Sequence, residues 1–339
     1  MEEEVISMAL NLLNAPEGAA GAMTSGGTDS ITMALKTARD FARAERGVPG
    51  QANIVLPFSA HLAFDKAAHL MDIEVRRIPI QENSFTADVG KMEAACDENT
   101  VMVVGSAPNF PYGIIDPISE LSDMCQRHEL WLHVDACVGG FLAPFARMNG
   151  EDIPAFDFEL SGVQSMSADL HKYGYCAKGA STVLFRSEAL FKYMPFDFDC
   201  WSGGRMVTPT LAGTRPGGAI SAAWAVMNHL GVQGYKDKQR LVLDARKTIE
   251  RGLKSLGFEI LGQPKLGLMA FHHPEVHAFA LWGKMAEKGW FTSLTKDPPS
   301  LHLMLSPKHA EIADQYLSDI EASMSEVTSE SEKVEARYS

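Results

Sequence analysis

Apolar positions recur with a helical period in some stretches and alternate or run together in others. Residues 2–13 place Val5, Met8, Ala9 and Leu12 on one stripe, which predicts an amphipathic helix. A second helix is expected over 31–45, stopped by Arg46-Gly47-Val48-Pro49-Gly50. Short apolar runs at 53–57, 74–80, 100–105 and 130–135 read as strands. Helical patterns at 63–71, 88–97 and 117–128 separate them, and further strands are expected at 163–168 and 181–185. Strands alternating with helices imply βαβ units, hence an α/β fold with a mainly parallel central sheet flanked by helices.

The pattern changes near residue 219. Helical stretches at 220–230 and 235–256 lead to strands at 266–271 and 301–305 around a helix at 276–288, and a last helix follows at 309–324. The expected organisation is an N-terminal helical segment (1–20), a large domain (21–218), a smaller C-terminal α+β domain (219–324) and a polar, Ser- and Glu-rich tail (325–339) without fixed structure.

Composition narrows the class. With 46% hydrophobic and 22% charged residues the chain can bury a sizeable core. A formal net charge of −13 without a basic cluster argues against nucleic-acid binding. The 5 cysteines show no Cys-x-x-Cys pair, which suits free thiols in a reducing compartment. No apolar run is long enough for a membrane span, and Met1-Glu2-Glu3-Glu4 lacks the basic start of a signal peptide. The chain as given reads as soluble and intracellular.

In a parallel sheet ligands bind beyond the carboxyl ends of the strands, and four short stretches fall there. Ser25-Gly26-Gly27-Thr28 precedes a helix, so its backbone N–H groups and the helix dipole form a cup for a phosphate; it reads equally as a plain loop with a hydroxyl N-cap. Asp135 ends the strand of His133-Val134-Asp135-Ala136. Buried there, it needs a cation or strong donor, unless it merely caps the next turn. His61 follows another strand, where its flat ring could stack on an aromatic ligand or simply start a helix. Lys172, in Ser167-Ala168-Asp169-Leu170-His171-Lys172-Tyr173-Gly174, sits at a strand's mouth. A desolvated lysine there bonds carbonyls; a solvated one is only a turn residue. Together they match the needs of pyridoxal 5′-phosphate: a lysine for the aldehyde, a carboxylate for the ring nitrogen, a phosphate cup and a flat cover. The histidines lack metal-ligand spacing.

The chain resembles the sphingosine-1-phosphate lyases, within the fold-type I pyridoxal-phosphate group that also holds glutamate and aromatic-amino-acid decarboxylases. Ser25-Gly26-Gly27-Thr28 and His133-Val134-Asp135-Ala136 are shared across the group. Lys172-Tyr173-Gly174-Tyr175-Cys176-Ala177-Lys178-Gly179 and Gly213-Thr214-Arg215-Pro216-Gly217-Gly218 point to the lyases. The resemblance implies that Lys172 carries the cofactor, Asp135 faces the ring nitrogen and His61 stacks on the ring. It implies phosphate contacts from Gly26, Gly27, Thr28 and His171, with Thr214 supplied by the second subunit of a homodimer. It gives Lys178 the substrate's phosphate and Phe110 a wall of the substrate channel. The implied reaction cleaves a phosphorylated sphingoid base to a long-chain aldehyde and phosphoethanolamine. An amino-acid decarboxylase of the same fold and a cofactor-binding but inactive fragment are the alternatives. Relative to the family the chain reads as short at its N-terminus. Eukaryotic members add a membrane anchor there, so an endoplasmic-reticulum origin is the other expected location.

Overall fold

The computed structural model describes residues 1–327. Its elements are α1 (Glu2–Leu12), β1 (Ala20–Thr24), α2 (Gly27–Phe41), β2 (Asn53–Pro57), α3 (Ala63–Met71), β3 (Glu74–Ile78), α4 (Val89–Ala95), β4 (Thr100–Ser106), α5 (Ile118–Arg127), β5 (Leu132–Asp135), α6 (Ala143–Met148), β6 (Val163–Ala168) and β7 (Ser181–Phe185). They continue with α7 (Glu188–Phe191), β8 (Phe196–Phe198), β9 (Met206–Thr208), α8 (Gly217–Ser255), β10 (Glu259–Ile260), β11 (Leu268–His272), α9 (Ala278–Glu287), β12 (Ser293–Lys296), β13 (Pro299–Met304) and α10 (His309–Glu326).

The first seven strands form one sheet in the order β1-β7-β6-β5-β4-β2-β3. The run from β6 to β3 is parallel, while β7 is antiparallel to both its neighbours. Every residue of β2, β4 and β5 is buried, as expected for strands covered on both faces. The two-residue period decides which layer each side chain joins. Ile54 and Leu56 pack with Ile31, Leu35 and Phe64 under α2 and α3, whereas Val55, Val103, Leu132 and Val134 join the core on the other face with Leu121 and Met124 of α5.

The second sheet, β10-β11-β13-β12, is antiparallel throughout. Its buried residues Leu268, Phe271, Leu301 and Leu303 belong to the same core as Leu281, Tyr316 and Ile320. α8 breaks at Gly231, whose φ of 55° and ψ of −176° are not helical; this is the interruption expected between residues 230 and 235. A third, two-stranded sheet pairs β8 with β9, and all but one of its residues are exposed.

Besides α6, α7, β8, β9, β10 and β12, which the pattern did not predict, three features depart from the expected elements. α2 starts at Gly27, four residues before Ile31, because Gly27, Thr28 and Asp29 form its first turn. β1 carries no strong strand signal and exists because it pairs with β7. α10 continues to Glu326, and the rest of the expected tail, from residue 328, lies outside the described residues. No described helix is long and apolar enough to cross a membrane.

Candidate active site

The parallel register lines up three strand ends, with Ser106 opposite Asp135 and Asp135 opposite Ser167. A cavity of about 190 Å³ opens beyond them. Asp135, Cys137 and Val138 line it from the end of β5, and Gly27 and Thr28 from the start of α2. His61 and Phe110 line it from their loops, and Asp169, His171, Lys172 and Lys178 from the segment after β6. Eight of the nine expected cofactor and substrate residues other than Gly26 therefore meet at one point. Gly26 adjoins them: a Cβ built on it would sit 3.5 Å from His171 Cε1.

Asp135 is buried, and its Oδ1 accepts from the Cys137 N–H (3.0 Å) and from Ser167 Oγ (3.3 Å). The turn-capping role and the site position thus coexist in one carboxylate. Burial alone would raise its pKa, but His61, Lys172 and the Cys137 N–H outweigh it and hold the group below the usual carboxylate value. His61 likewise does two things. Its Nδ1 accepts from the Ala63 N–H at the start of α3 (3.1 Å), while its ring lines the cavity. Burial lowers its pKa, so it is neutral at pH 7. Arg77 braces the loop before it by bonding Asp65 and the carbonyls of Phe58 and Ala60 (3.0 Å each).

Lys172 points at a carboxylate that sequence reasoning passed over. Its Nζ lies 3.0 Å from Oδ2 of Asp169, whose side chain is 1% exposed against 25% for the lysine. Burial disfavours the ammonium, but Asp169 and Asp135 outweigh that cost, and the pKa of Lys172 lies above the ordinary lysine value. The signal for Asp169 was present in the sequence, since it sits one residue past β6 and three before the lysine. Nothing local showed that it turns inward.

The loop is held from the ends of β11 and β13 and from α8. Tyr173 Oη donates to the carbonyls of Leu305 (2.7 Å) and Gly267 (3.2 Å), and Tyr235 Oη donates to the Gly174 carbonyl (2.9 Å). Tyr173→Phe should lower stability by about 1–3 kcal/mol, because the buried Leu305 carbonyl loses this donor. A urea midpoint unchanged from the parent would count against that anchoring role.

Thr214 is exposed and does not line this cavity. Its neighbour Arg215 is fastened to α1 and β1 through Glu2 (Nη2 to Oε2, 2.8 Å) and the Met23 carbonyl (2.9 Å). Phe110 packs against buried His302 with its ring tilted at 44°, ring centroids 4.7 Å apart. Ser25 does not line the cavity, and its hydroxyl donates to Asp29 Oδ2 (3.0 Å).

Residues 1–273 match the pyridoxal-dependent decarboxylase conserved domain. The chain belongs to that family. A sphingosine-1-phosphate lyase of Oryza sativa subsp. japonica is 41% identical over 333 residues, covering 96% of this chain and 61% of the relative. The chain thus spans less than two thirds of that relative's length. A probable L-tyrosine/L-aspartate decarboxylase of Methanothermobacter thermautotrophicus is 35% identical over 307 residues, 91% of this chain and 82% of the relative. The structure of a Burkholderia pseudomallei sphingosine-1-phosphate lyase superposes with a TM-score of 0.92 at 36% identity, over 96% of this chain and 76% of that one.

The family's cofactor is pyridoxal 5′-phosphate, and the residues present fit it. Nδ1 of His171 is buried without a hydrogen-bond partner beside Gly26, as a donor awaiting a phosphate would be. α2 begins there with Gly26 as an N-cap that makes no side-chain bond, so its first N–H groups are open to an anion. A Cβ on Gly27 would stand 2.8 Å from Cys137 Sγ and 3.0 Å from Asp169 Oδ2, so only glycine fits at that turn. A lysine and a buried carboxylate reach the same cavity from different strands.

Proposed function

We propose that this chain is a carbon–carbon lyase that cleaves phosphorylated sphingoid bases to a long-chain aldehyde and phosphoethanolamine. The observation that carries this reading is the meeting of Lys172, Asp135 and Lys178 on one cavity at the sheet's carboxyl edge. The 36% identity to the Burkholderia lyase over 96% of this chain supports the same class.

When bound, pyridoxal 5′-phosphate supplies an electron sink for the bond broken at the substrate's amine-bearing carbon. This chain's residues do the rest. Lys172 would hold the cofactor through its aldehyde. Asp135 would favour a positive charge on the cofactor's ring nitrogen by its own negative charge. The neutral imidazole of His61 covers the ring and helps exclude water. The N–H groups at Gly26, Gly27 and Thr28, with His171, hold the phosphate. Lys178, exposed at the mouth, receives the phosphate of the substrate, and Phe110 walls the channel.

A second copy of the chain completes the site, with Thr214 reaching the partner's cofactor phosphate. Two things support this homodimer. Thr214 is exposed and lies off its own chain's cavity. It also follows a stretch that leaves Phe198, Trp201, Val207 and Leu211 exposed, an apolar surface that a second subunit would cover. We read the organisation as a large domain to residue 218 and a small one from 219.

The Methanothermobacter relative favours a second reading, amino-acid decarboxylation. A decarboxylase needs a cation, commonly an arginine, for the substrate carboxylate. Among the described residues no arginine lines the cavity, and Arg77 is spent on Asp65 and backbone carbonyls. The test offers the cofactor-loaded protein sphinganine 1-phosphate, L-tyrosine and L-aspartate in parallel. Phosphoethanolamine release is expected; carbon dioxide from an amino acid, with no aldehyde from the lipid, would overturn the lyase reading. A cofactor absorbance band with no turnover on any substrate would mark an inactive cofactor binder. Lys178→Ala should lower kcat/KM for the phosphorylated substrate roughly 10- to 150-fold, the worth of a charge-assisted hydrogen bond of about 1.5–3 kcal/mol. Equal losses on an unphosphorylated analogue would remove Lys178 from the phosphate site.

A further inference from the structure

Asp169 has no part in the scheme above, yet it is the group that touches Lys172. Its Oδ2 lies 3.0 Å from Lys172 Nζ and 3.7 Å from His171 Nε2, and its Oδ1 is buried without a hydrogen-bond partner. The carboxylate is wedged beneath the first turn of α2, since a Cβ on Gly27 would come within 3.0 and 3.2 Å of its two oxygens. Its backbone is pinned as well: the Asp169 N–H donates to the Cys137 carbonyl (3.2 Å), and the Lys172 N–H donates to the Asp169 carbonyl (3.4 Å). A carboxylate this enclosed is costly unless a cation neutralises it. The lysine is a cation only while protonated, and only the neutral amine bonds a carbonyl. The two requirements oppose each other.

We propose that Asp169 is a positioning residue that stores Lys172 as an ammonium at the cavity edge whenever the lysine is not bonded to the cofactor, and so sets the pH at which the lysine can take one up. This rests on the reading of Lys172 as the cofactor lysine. To react, Lys172 sheds one proton to solvent through the cavity mouth. Joining the amine to the aldehyde then forms one carbon–nitrogen double bond and releases one water. The groups facing the pair are His171 and Lys178 from the same segment, Asp135 and Cys137 from the end of β5, and His61 from the loop before α3. Burial lowers the pKa of both histidines, so neither brings a full charge at neutral pH. Lys178 opposes the ammonium and Asp135 supports it. Removing Asp169 leaves Asp135 as the one carboxylate facing Lys172 among the described residues that line the cavity.

The test uses the full chain freed of cofactor with hydroxylamine. Trace labelling with acetic anhydride across pH, read by mass spectrometry of the Lys172 peptide, titrates this lysine directly. In the parent Lys172 should titrate above the ordinary value of about 10.4. In Asp169→Asn its titration should fall by about one pH unit or more, a roughly tenfold gain in labelling at a fixed pH below both values; Asp169→Glu should restore most of the shift. The pH profile for the rate at which added pyridoxal 5′-phosphate develops its absorbance band should move the same way. A parent Lys172 that titrates at or below the ordinary value overturns the proposal, and this holds even if Asp169→Asn does not fold. An unchanged titration in folded Asp169→Asn overturns it too. If the band forms on a different lysine, the reading of Lys172 fails instead, and the labelling still reports on the pair.

Discussion

Lys172→Arg should yield a folded protein that develops no cofactor absorbance band and shows no turnover. The arginine keeps a positive charge beside Asp169, 3.0 Å from the present ammonium, but its guanidinium stays protonated and cannot bond an aldehyde. Lys172→Ala should lose the band as well and in addition lose stability, by about 3–5 kcal/mol, because a buried carboxylate is left without its partner. Comparing the two separates the loss of the nucleophile from the loss of the counter-ion. Borohydride reduction of the parent should fix the cofactor on the peptide that contains Lys172. A band of undiminished strength in Lys172→Arg would sink the assignment.

Asp135→Asn should bind cofactor and turn over poorly. The amide preserves the shape and can still accept from the Cys137 N–H, so β5 and the turn after it should stay in place. What is lost is the negative charge. Active-site environments shift a pKa by about 2–5 units, and at 1.36 kcal/mol per unit that is roughly 3–7 kcal/mol of charge stabilisation. The turnover number should drop by about 10²–10⁵-fold with little change in KM, since the groups proposed to hold phosphate are untouched. The low pKa of Asp135 fixes the sign of the pH dependence. The group titrates below the ordinary carboxylate value, so any acid loss of activity through its protonation should set in at a lower pH than for an ordinary carboxylate. Near-normal turnover in Asp135→Asn would refute its role at the ring nitrogen.

The strands and helices of the large sheet were legible because their pattern is local. Continuous apolar runs at 53–57 and 100–105 follow from burial on both faces, and the helices between them from a stripe at three- and four-residue spacing. The site was legible in outline for the same reason. Glycines at the start of α2, Asp135 at the end of β5 and Lys172 just past β6 are each marked by position relative to an element. Each also carried a plain structural reading, and for Asp135 and His61 the structure realises both, since each bonds a nearby backbone N–H and lines the cavity.

Asp169 stands in the same stretch as Lys172 but carries no site signal of its own, because a carboxylate three residues from a lysine normally makes a solvated pair. What buries it is α2, more than 100 residues away, whose Gly27 leaves room for its oxygens only for want of a side chain. The reversal of β7, the recruitment of β1 to the edge beside it and the anchoring of Tyr173 on the Leu305 carbonyl belong to the same class. Local patterning specified where elements lie and which of their faces are apolar, because backbone geometry and burial act within a few residues. Which strand became whose neighbour, and hence which two carboxylates share a cavity with Lys172, was settled by the packing of distant segments, where no short stretch of chain carries the information.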